Sequence, residues 1–278
     1  MSMRRLSEPL RIAISPCPND TFIWAGIALG AIQLPWPVQL TYHDIDELNR
    51  LAQTGGAHLV KVSFFQYALL PRGLYGLMPV GAALGYGVGP LLIAREALSC
   101  EALGTAKIGI PGWETTAHSL FHFYAPHAPN RLVYRYDRLI PALRSGEIDA
   151  AVIIHELRFT YAKYGLIALQ DLGAYWTEKT GLPIPLGGLV LRRDLLGWRA
   201  FLSAALRKSL RWAYQHPAEA LAFVGQYADD MDPAVQKAHI DLYVNAFSRQ
   251  LGSLGKRAIA TYLRIARAAM HFGRLAPT

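Results

Sequence analysis

The sequence predicts an α/β protein of two lobes with a ligand cleft between them, and three observations predict it. A β-α rhythm begins at Leu10, the same rhythm restarts at Ala106, and strand-like segments flank the second copy near 91–95 and 187–193. Strands alternating with helices favour a parallel sheet covered on both faces. With 278 residues, 52% of them apolar and 17% charged, the chain is long and apolar enough to bury a full core.

The elements follow in order. Residues 10–15 form an apolar run and 21–30 a helix-like one; the pairs 38–44 with 45–54 and 59–64 with 65–70 complete a first β-α-β-α-β series. The second series runs through 106–110, 115–124, 132–137, 138–144 and 149–155. Between them lies Gly85-Tyr-Gly-Val-Gly-Pro90, feeding the apolar Leu91-Leu-Ile-Ala94, and the second series is followed by Gly187-Gly-Leu-Val-Leu-Arg-Arg193. Read as crossings, these segments give a discontinuous large lobe of residues 1–92 and 190–278, with residues 93–189 inserted as a smaller lobe. Helices close the chain, and Pro217 and Pro233 stand where a first helical turn tolerates proline.

The net charge of +8 is unevenly spread: +2 over residues 1–95, −1 over 96–189 and +7 over 190–278. The basic residues of the last third fall on helix-like stretches, 195–216 and 255–272, whose apolar positions recur at three and four. That spacing makes them a solvated helix face rather than a nucleic-acid footprint. Cys17 and Cys100 are too far apart in sequence to suggest a metal pair or a disulfide framework. No 18-residue apolar stretch calls for a membrane span, and no apolar leader precedes Leu10, so the cytoplasm is the expected location.

Parallel sheets bind ligands beyond the carboxyl ends of their strands, so the candidate residues are those at strand ends. They are Ser15-Pro-Cys-Pro-Asn-Asp20, Asp44, Lys61-Val-Ser63, Pro111-Gly-Trp-Glu-Thr-Thr-Ala117, Asp137 and His155-Glu-Leu-Arg158. The first is a proline-rigid loop and helix cap, in which Cys17 has no neighbouring base to make it a nucleophile. Lys61 and Ser63, two apart on a strand, point to one side and suit a carboxylate; snorkelling by Lys61 and capping by Ser63 is the competing reading. Thr115, Thr116 and the N–H groups of the helix start after Pro111-Gly112 make an anion seat, unless Thr115 merely caps. Glu114, His118 and His122 share one helix face, yet without a zinc motif the two histidines read as core or surface groups. His155 ends the apolar run Ala150-Ala-Val-Ile-Ile154, and an imidazole, with an ordinary pKa of about 6.5, can accept a proton near neutral pH.

These segments, together with Leu48-Asn-Arg50, Gly87-Val-Gly-Pro-Leu91, Arg158-Phe-Thr-Tyr161, Gly181-Leu-Pro183, Pro185-Leu-Gly187 and Tyr243-Val-Asn-Ala-Phe-Ser248, resemble the 1,4-dihydroxy-6-naphthoate synthase family over nearly the whole chain. That resemblance implies a fold similar to type II periplasmic binding proteins and an enzyme of the futalosine route to menaquinone. It implies cyclic dehypoxanthine futalosine as the small-molecule carboxylate substrate, and neither metal nor organic cofactor. The position matching His155 is the family's proton acceptor, and Asn49, Lys61, Ser63, Thr116, Ala117 and Leu186 match substrate-contacting positions. Glu114 and Leu157 depart from the family pattern. On this reading Ser63 and Thr116, one per lobe, hold the carboxylate across the cleft. A solute-binding protein of the same architecture would need a signal peptide, and an effector-binding one a DNA-binding head for which ten residues before the first strand leave no room. Chorismate dehydratase is the enzyme alternative, set apart by the Ser-Pro-Cys-Pro-Asn-Asp loop.

Overall fold

A computed structural model describes residues 8–228 and 232–271. The strands are β1 (Leu10–Ile14), β2 (Val38–Tyr42), β3 (Leu59–Ser63), β4 (Tyr75–Leu77), β5 (Ala83–Gly85), β6 (Leu91–Ala94), β7 (Ile108–Ile110), β8 (Arg131–Val133), β9 (Ala150–Ile153), β10 (Ile167–Asp171) and β11 (Ile184–Arg192). The helices are α1 (Pro18–Ala28), α2 (Ile45–Thr54), α3 (Phe64–Leu69), α4 (Thr116–Tyr124), α5 (Leu139–Ser145), α6 (Leu157–Thr160), α7 (Leu172–Thr180), α8 (Arg199–Gln215), α9 (Pro217–Val224), α10 (Pro233–Tyr243), α11 (Ala246–Arg249) and α12 (Gly252–His271). None of the described helices is long and apolar enough to cross a membrane.

Two sheets form, not one. The first has the order β2-β1-β3-β11-β4, with β5 also on β11; the second has the order β10-β6-β9-β7-β8. In each, the expected β-α-β series pairs in parallel: β1 with β2 and β3, and β7 with β8 and β9. The remaining strands correct the expectation of an all-parallel sheet. β11 runs antiparallel to β3 and β4, and β6 runs antiparallel to β9 and β10.

The chain divides into two compact units. The first runs to Ser63 and adds Leu69–Ala83 and Gly187–Lys256; the second takes Phe64–Ala68, Leu84–Leu186 and the chain from Arg257. The changes of unit near the expected boundaries of 92/93 and 189/190 thus fall at 83/84 and 186/187. Leu91–Ala94 is therefore an inner strand of the second sheet rather than a crossing. Much of α12 counts with the second unit because its inner face packs there: Tyr262 lies 5.7 Å, centroid to centroid, from Trp176 and hydrogen-bonds Ser119.

Local sequence explains the elements that matter for the site. In α2, Leu48, Asn49 and Ala52 face inward at helical spacing, and Gly55, at φ 70°, ends the helix in the left-handed conformation that glycine adopts without cost. β1 and β3 bury nearly every residue, as strands covered on both faces do. The first core joins Leu10, Ile12, Ile14, Trp24, Leu59 and Leu206, with Trp36 stacked on Trp198 at 4.1 Å. The second joins Ile93, Leu139, Leu143, Ile148 and Ile153. The basic side chains of α8 and α12 that include Lys208, Arg211, Lys256, Arg257 and Arg264 lie on exposed positions, a solvated face in each helix.

Candidate active site

In the first unit the polar groups gather at the end of β3. Ser63 donates its N–H to Asn49 Oδ1 at 3.1 Å, and Asn49 Nδ2 donates to Ser63 Oγ at 3.3 Å. This reciprocal pair ties α2 to β3 and buries both residues, which are 1% and 3% exposed. Lys61, two residues back on the same strand, has other partners: its ammonium donates to Asp20 Oδ1 at 2.5 Å and to the Gly81 carbonyl at 3.1 Å. Asp20 also accepts from Ser15 Oγ at 2.8 Å and from Asn19 Nδ2 at 3.1 Å. The Ser15–Asp20 loop is therefore stitched to β3 by a buried ion pair. Asp20, which the sequence presents only as part of a helix cap, is the residue this chemistry turns on. Cys17 stands at the N-cap position of α1, its carbonyl accepting from Thr21 Oγ1 at 3.0 Å.

In the second unit the start of α4 is the corresponding place. Thr115 caps it: the hydroxyl accepts from the His118 N–H at 3.2 Å and donates to the Gly112 carbonyl at 2.7 Å. The capping reading of Thr115 thus accounts for that hydroxyl in full. Thr116 Oγ1 donates to the Leu186 carbonyl at 2.7 Å and accepts from the Phe65 N–H at 3.3 Å, so Thr116 and Leu186, both expected at the site, are bonded to each other. Among the described residues, no acceptor is met by the backbone N–H groups of Thr116 and Ala117, which are 3% and 4% exposed. These are the open donors that every helix start carries, and donors of this kind can bind an anion.

In the same unit Arg131 braces the two histidines of α4. His118 Nδ1 lies 2.9 Å from the Trp113 carbonyl, to which it donates, and its Nε2 accepts from Arg131 Nη1 at 2.9 Å. Arg131 Nη2 donates to His122 Nδ1 at 3.1 Å, and Nε to the Ala128 carbonyl at 2.9 Å. The lone pairs of both imidazoles that the spacing of α4 put on one face are thus taken by a guanidinium, and the two histidines are core groups. Burial, reinforced by the Arg131 charge and opposed by the Trp113 hydrogen bond, pushes His118 down from 6.5 to about 4. Between those two values the unfolded chain binds a proton that the native state refuses. Stability is therefore whole above pH 6.5, falls by up to about 3 kcal/mol as pH drops toward 4, and levels off below. Urea titrations across that window should show the slope, and His118→Gln should flatten it.

His155 stands two residues beyond β9, on no regular element. It is the one non-glycine residue at positive φ among the described residues, at 57°. Its ring is half-buried and meets Tyr136 edge-on, with centroids 5.2 Å apart and planes at 74°. Histidine enters this region more readily than most non-glycine residues, yet the conformation still costs energy, and such places cluster at functional sites. Sequence reasoning found His155 from the apolar run before it. It missed Tyr136, which only the fold brings to the ring, and it named Arg158 at the same strand end without giving it a role.

A family model described as menaquinone biosynthesis matches residues 10–268. The chain is 44% identical over 255 residues to the 1,4-dihydroxy-6-naphtoate synthase of Thermus thermophilus, covering 91% of this chain and 92% of that one. It is 41% identical over 271 residues to the enzyme of the same name from Streptomyces coelicolor, covering 94% of each. A crystal structure from Archaeoglobus fulgidus superposes with a TM-score of 0.90 at 30% identity, over 96% of this chain and 100% of that one. The periplasmic aliphatic sulphonate binding protein SsuA from Escherichia coli shares the fold, with a TM-score of 0.64 at 14% identity over 98% and 95% of the two chains. With nearly its whole length matched by one model and by relatives above 40% identity, the chain belongs to the menaquinone-biosynthesis family and carries the fold of the periplasmic binding proteins.

Proposed function

We propose that the chain is a carbon–carbon lyase that converts cyclic dehypoxanthine futalosine to 1,4-dihydroxy-6-naphthoate, with His155 as general base and without metal or organic cofactor. The observation that carries this reading is the placement of His155. A fully buried strand fixes its backbone, a left-handed turn aims its ring, and Tyr136 packs the ring edge. A base so held can take a proton from the carbon next to a carbonyl. The electron pair left behind forms a new ring double bond as the carbon–carbon bond to the departing fragment breaks; that bond's pair goes to the fragment, which takes up a proton from the imidazolium, and formation of the aromatic ring supplies the driving force. Positioning and general-base transfer are the two contributions the chain itself makes.

The substrate carboxylate is assigned to the N–H groups of Thr116 and Ala117, with the Thr116 hydroxyl beside them and Leu186 fixed by it. Asn49 and Ser63 supply the substrate contacts of the first unit. Thr115 and Lys61, whose polar atoms are engaged in the cap and the ion pair, support these groups from behind. Ser63→Ala and Thr116→Ala should each raise KM more than they lower kcat: the first removes a hydroxyl assigned to the substrate, where a hydrogen bond to a charged group contributes about 1.5–3 kcal/mol, and the second releases Leu186 and the start of α4 from the Thr116 hydroxyl that holds them together. Steady-state kinetics on both variants checks this, and an unchanged KM in both removes the assignment.

The function itself is tested by incubating the purified protein with cyclic dehypoxanthine futalosine and following the naphthoate by chromatography. Turnover is expected with no added nucleotide or flavin and after dialysis against EDTA. A folded protein that forms no naphthoate, or one that regains it only when a divalent metal is restored, overturns the proposal.

A further inference from the structure

We infer that Arg158 is a positioning residue for His155, anchoring the short helix that follows it. The inference rests on the reading of His155 as base, but its geometry is separate. His155 holds a left-handed backbone, uncommon for any residue but glycine, and the segment after it is α6, a helix of four residues. So short a helix has too few internal hydrogen bonds to impose a conformation on its neighbour. The Arg158 N–H reaches the His155 carbonyl at 3.4 Å, and Phe159 N–H reaches that of Glu156 at 2.8 Å.

What fixes α6 is the Arg158 guanidinium. Nη1 donates to the Gly89 carbonyl at 2.5 Å, and Nη2 donates to the Gly87 carbonyl at 2.9 Å and to Asp171 Oδ2 at 2.8 Å. The side chain is 17% exposed, so these bonds are partly shielded from water. The far side of the clamp is rigid. The other oxygen of Asp171 caps α7, accepting from the N–H groups of Gly173 and Ala174 at 2.9 Å each. Gly89 lies so close to that helix start that a Cβ on it would sit 2.1 Å from the Gly173 nitrogen. A planar fork that spans two carbonyls and a carboxylate specifies direction as well as distance, which an ammonium does not. Arg158 thereby joins the turn that carries His155 to a fixed point of the second unit, and the strained φ persists because its C-terminal side cannot relax.

The test measures kinetics and backbone amide hydrogen exchange on the full chain for Arg158→Met, Arg158→Lys and the double variant Arg158→Met/His155→Asn. Arg158→Met should lower kcat about tenfold or more with KM within about threefold, because a misaligned base costs the transition state rather than substrate binding. Exchange at residues 155–160 should quicken about tenfold or more while β9 and the body of α7 hold their protection. Arg158→Lys should regain part of both, and the double variant should be no slower than His155→Asn alone. If His155→Asn keeps the wild-type rate, the base reading fails, yet local quickening of exchange at 155–160 still upholds the anchor. Unchanged exchange there overturns it, as does exchange that rises equally through β9 and α7, or a double variant whose losses multiply. Should Arg158→Met not fold, Arg158→Lys is read by the same exchange criterion.

Discussion

His155→Asn is expected to lower kcat about 10²-fold or more, to abolish the acidic limb of the pH–rate profile and to leave substrate binding nearly intact. Asparagine is the informative replacement because of the backbone. At φ 57° an alanine or leucine would add conformational strain of its own, whereas asparagine is among the residues that visit the left-handed region most readily. Loss of rate in this variant therefore reports loss of the imidazole rather than a displaced turn. Asparagine can also hydrogen-bond to substrate but cannot take a proton from carbon. If His155 only hydrogen-bonds the substrate, the loss should be modest and the acidic limb retained; if it is the base, both should go. A variant with near wild-type rate and an intact acidic limb would transfer the role to another residue and remove the mechanism proposed above. Tyr136→Leu serves as the control for ring support, since it keeps the imidazole and removes only the edge contact that steadies it.

The elements that carry the site were legible because local pattern and tertiary role coincide in them. The bounds expected for α2, residues 45–54, are those observed, since its buried positions fall at helical spacing and a glycine ends it. β9 announces itself as an unbroken apolar run, and its burial on both faces makes the polar residue just beyond it conspicuous. β10 and α7 escaped notice for the opposite reason. β10 begins with exposed Ile167 and Ala168 and pairs only along one side, so its sequence carries no steady alternation. The antiparallel sense of β6 and β11 depends on where the chain comes from, which no short window records.

The chemistry divides in the same way. The spacing of His118 and His122 correctly placed them on one helix face, but their shared partner, Arg131, arrives from β8 and is set by the fold of the second sheet. Lys61 was singled out correctly as a cation in an apolar strand. Its partner lies 41 residues earlier, so the sequence offered a substrate carboxylate where the structure supplies Asp20.

That substitution of partners leads to the second large effect. Lys61→Met is expected to destabilise the protein by about 3–5 kcal/mol, the usual cost of removing one member of a buried ion pair, because Asp20 is then left with its charge uncompensated. Both residues are nearly inaccessible, at 4% and 2% exposed, so water cannot replace the lost ammonium without opening the Ser15–Asp20 loop. Asp20→Asn should cost a comparable amount from the other side, leaving a buried ammonium with only the Gly81 carbonyl. The double variant Lys61→Met/Asp20→Asn should recover much of the loss, since it removes both charges together, and that non-additivity separates an ion pair from two independent packing defects. Chemical denaturation of the four proteins supplies the cycle. Kinetics on the same proteins decides what Lys61 does in turnover. If it organises the loop, substrate affinity should follow stability and return with it in the double variant. If the ammonium meets the substrate directly, Lys61→Met should raise KM while stability stays near wild type, and the double variant should bind no better. The 2.5 Å contact between Lys61 Nζ and Asp20 Oδ1, reinforced by Ser15 and Asn19 on the same carboxylate, favours the first outcome.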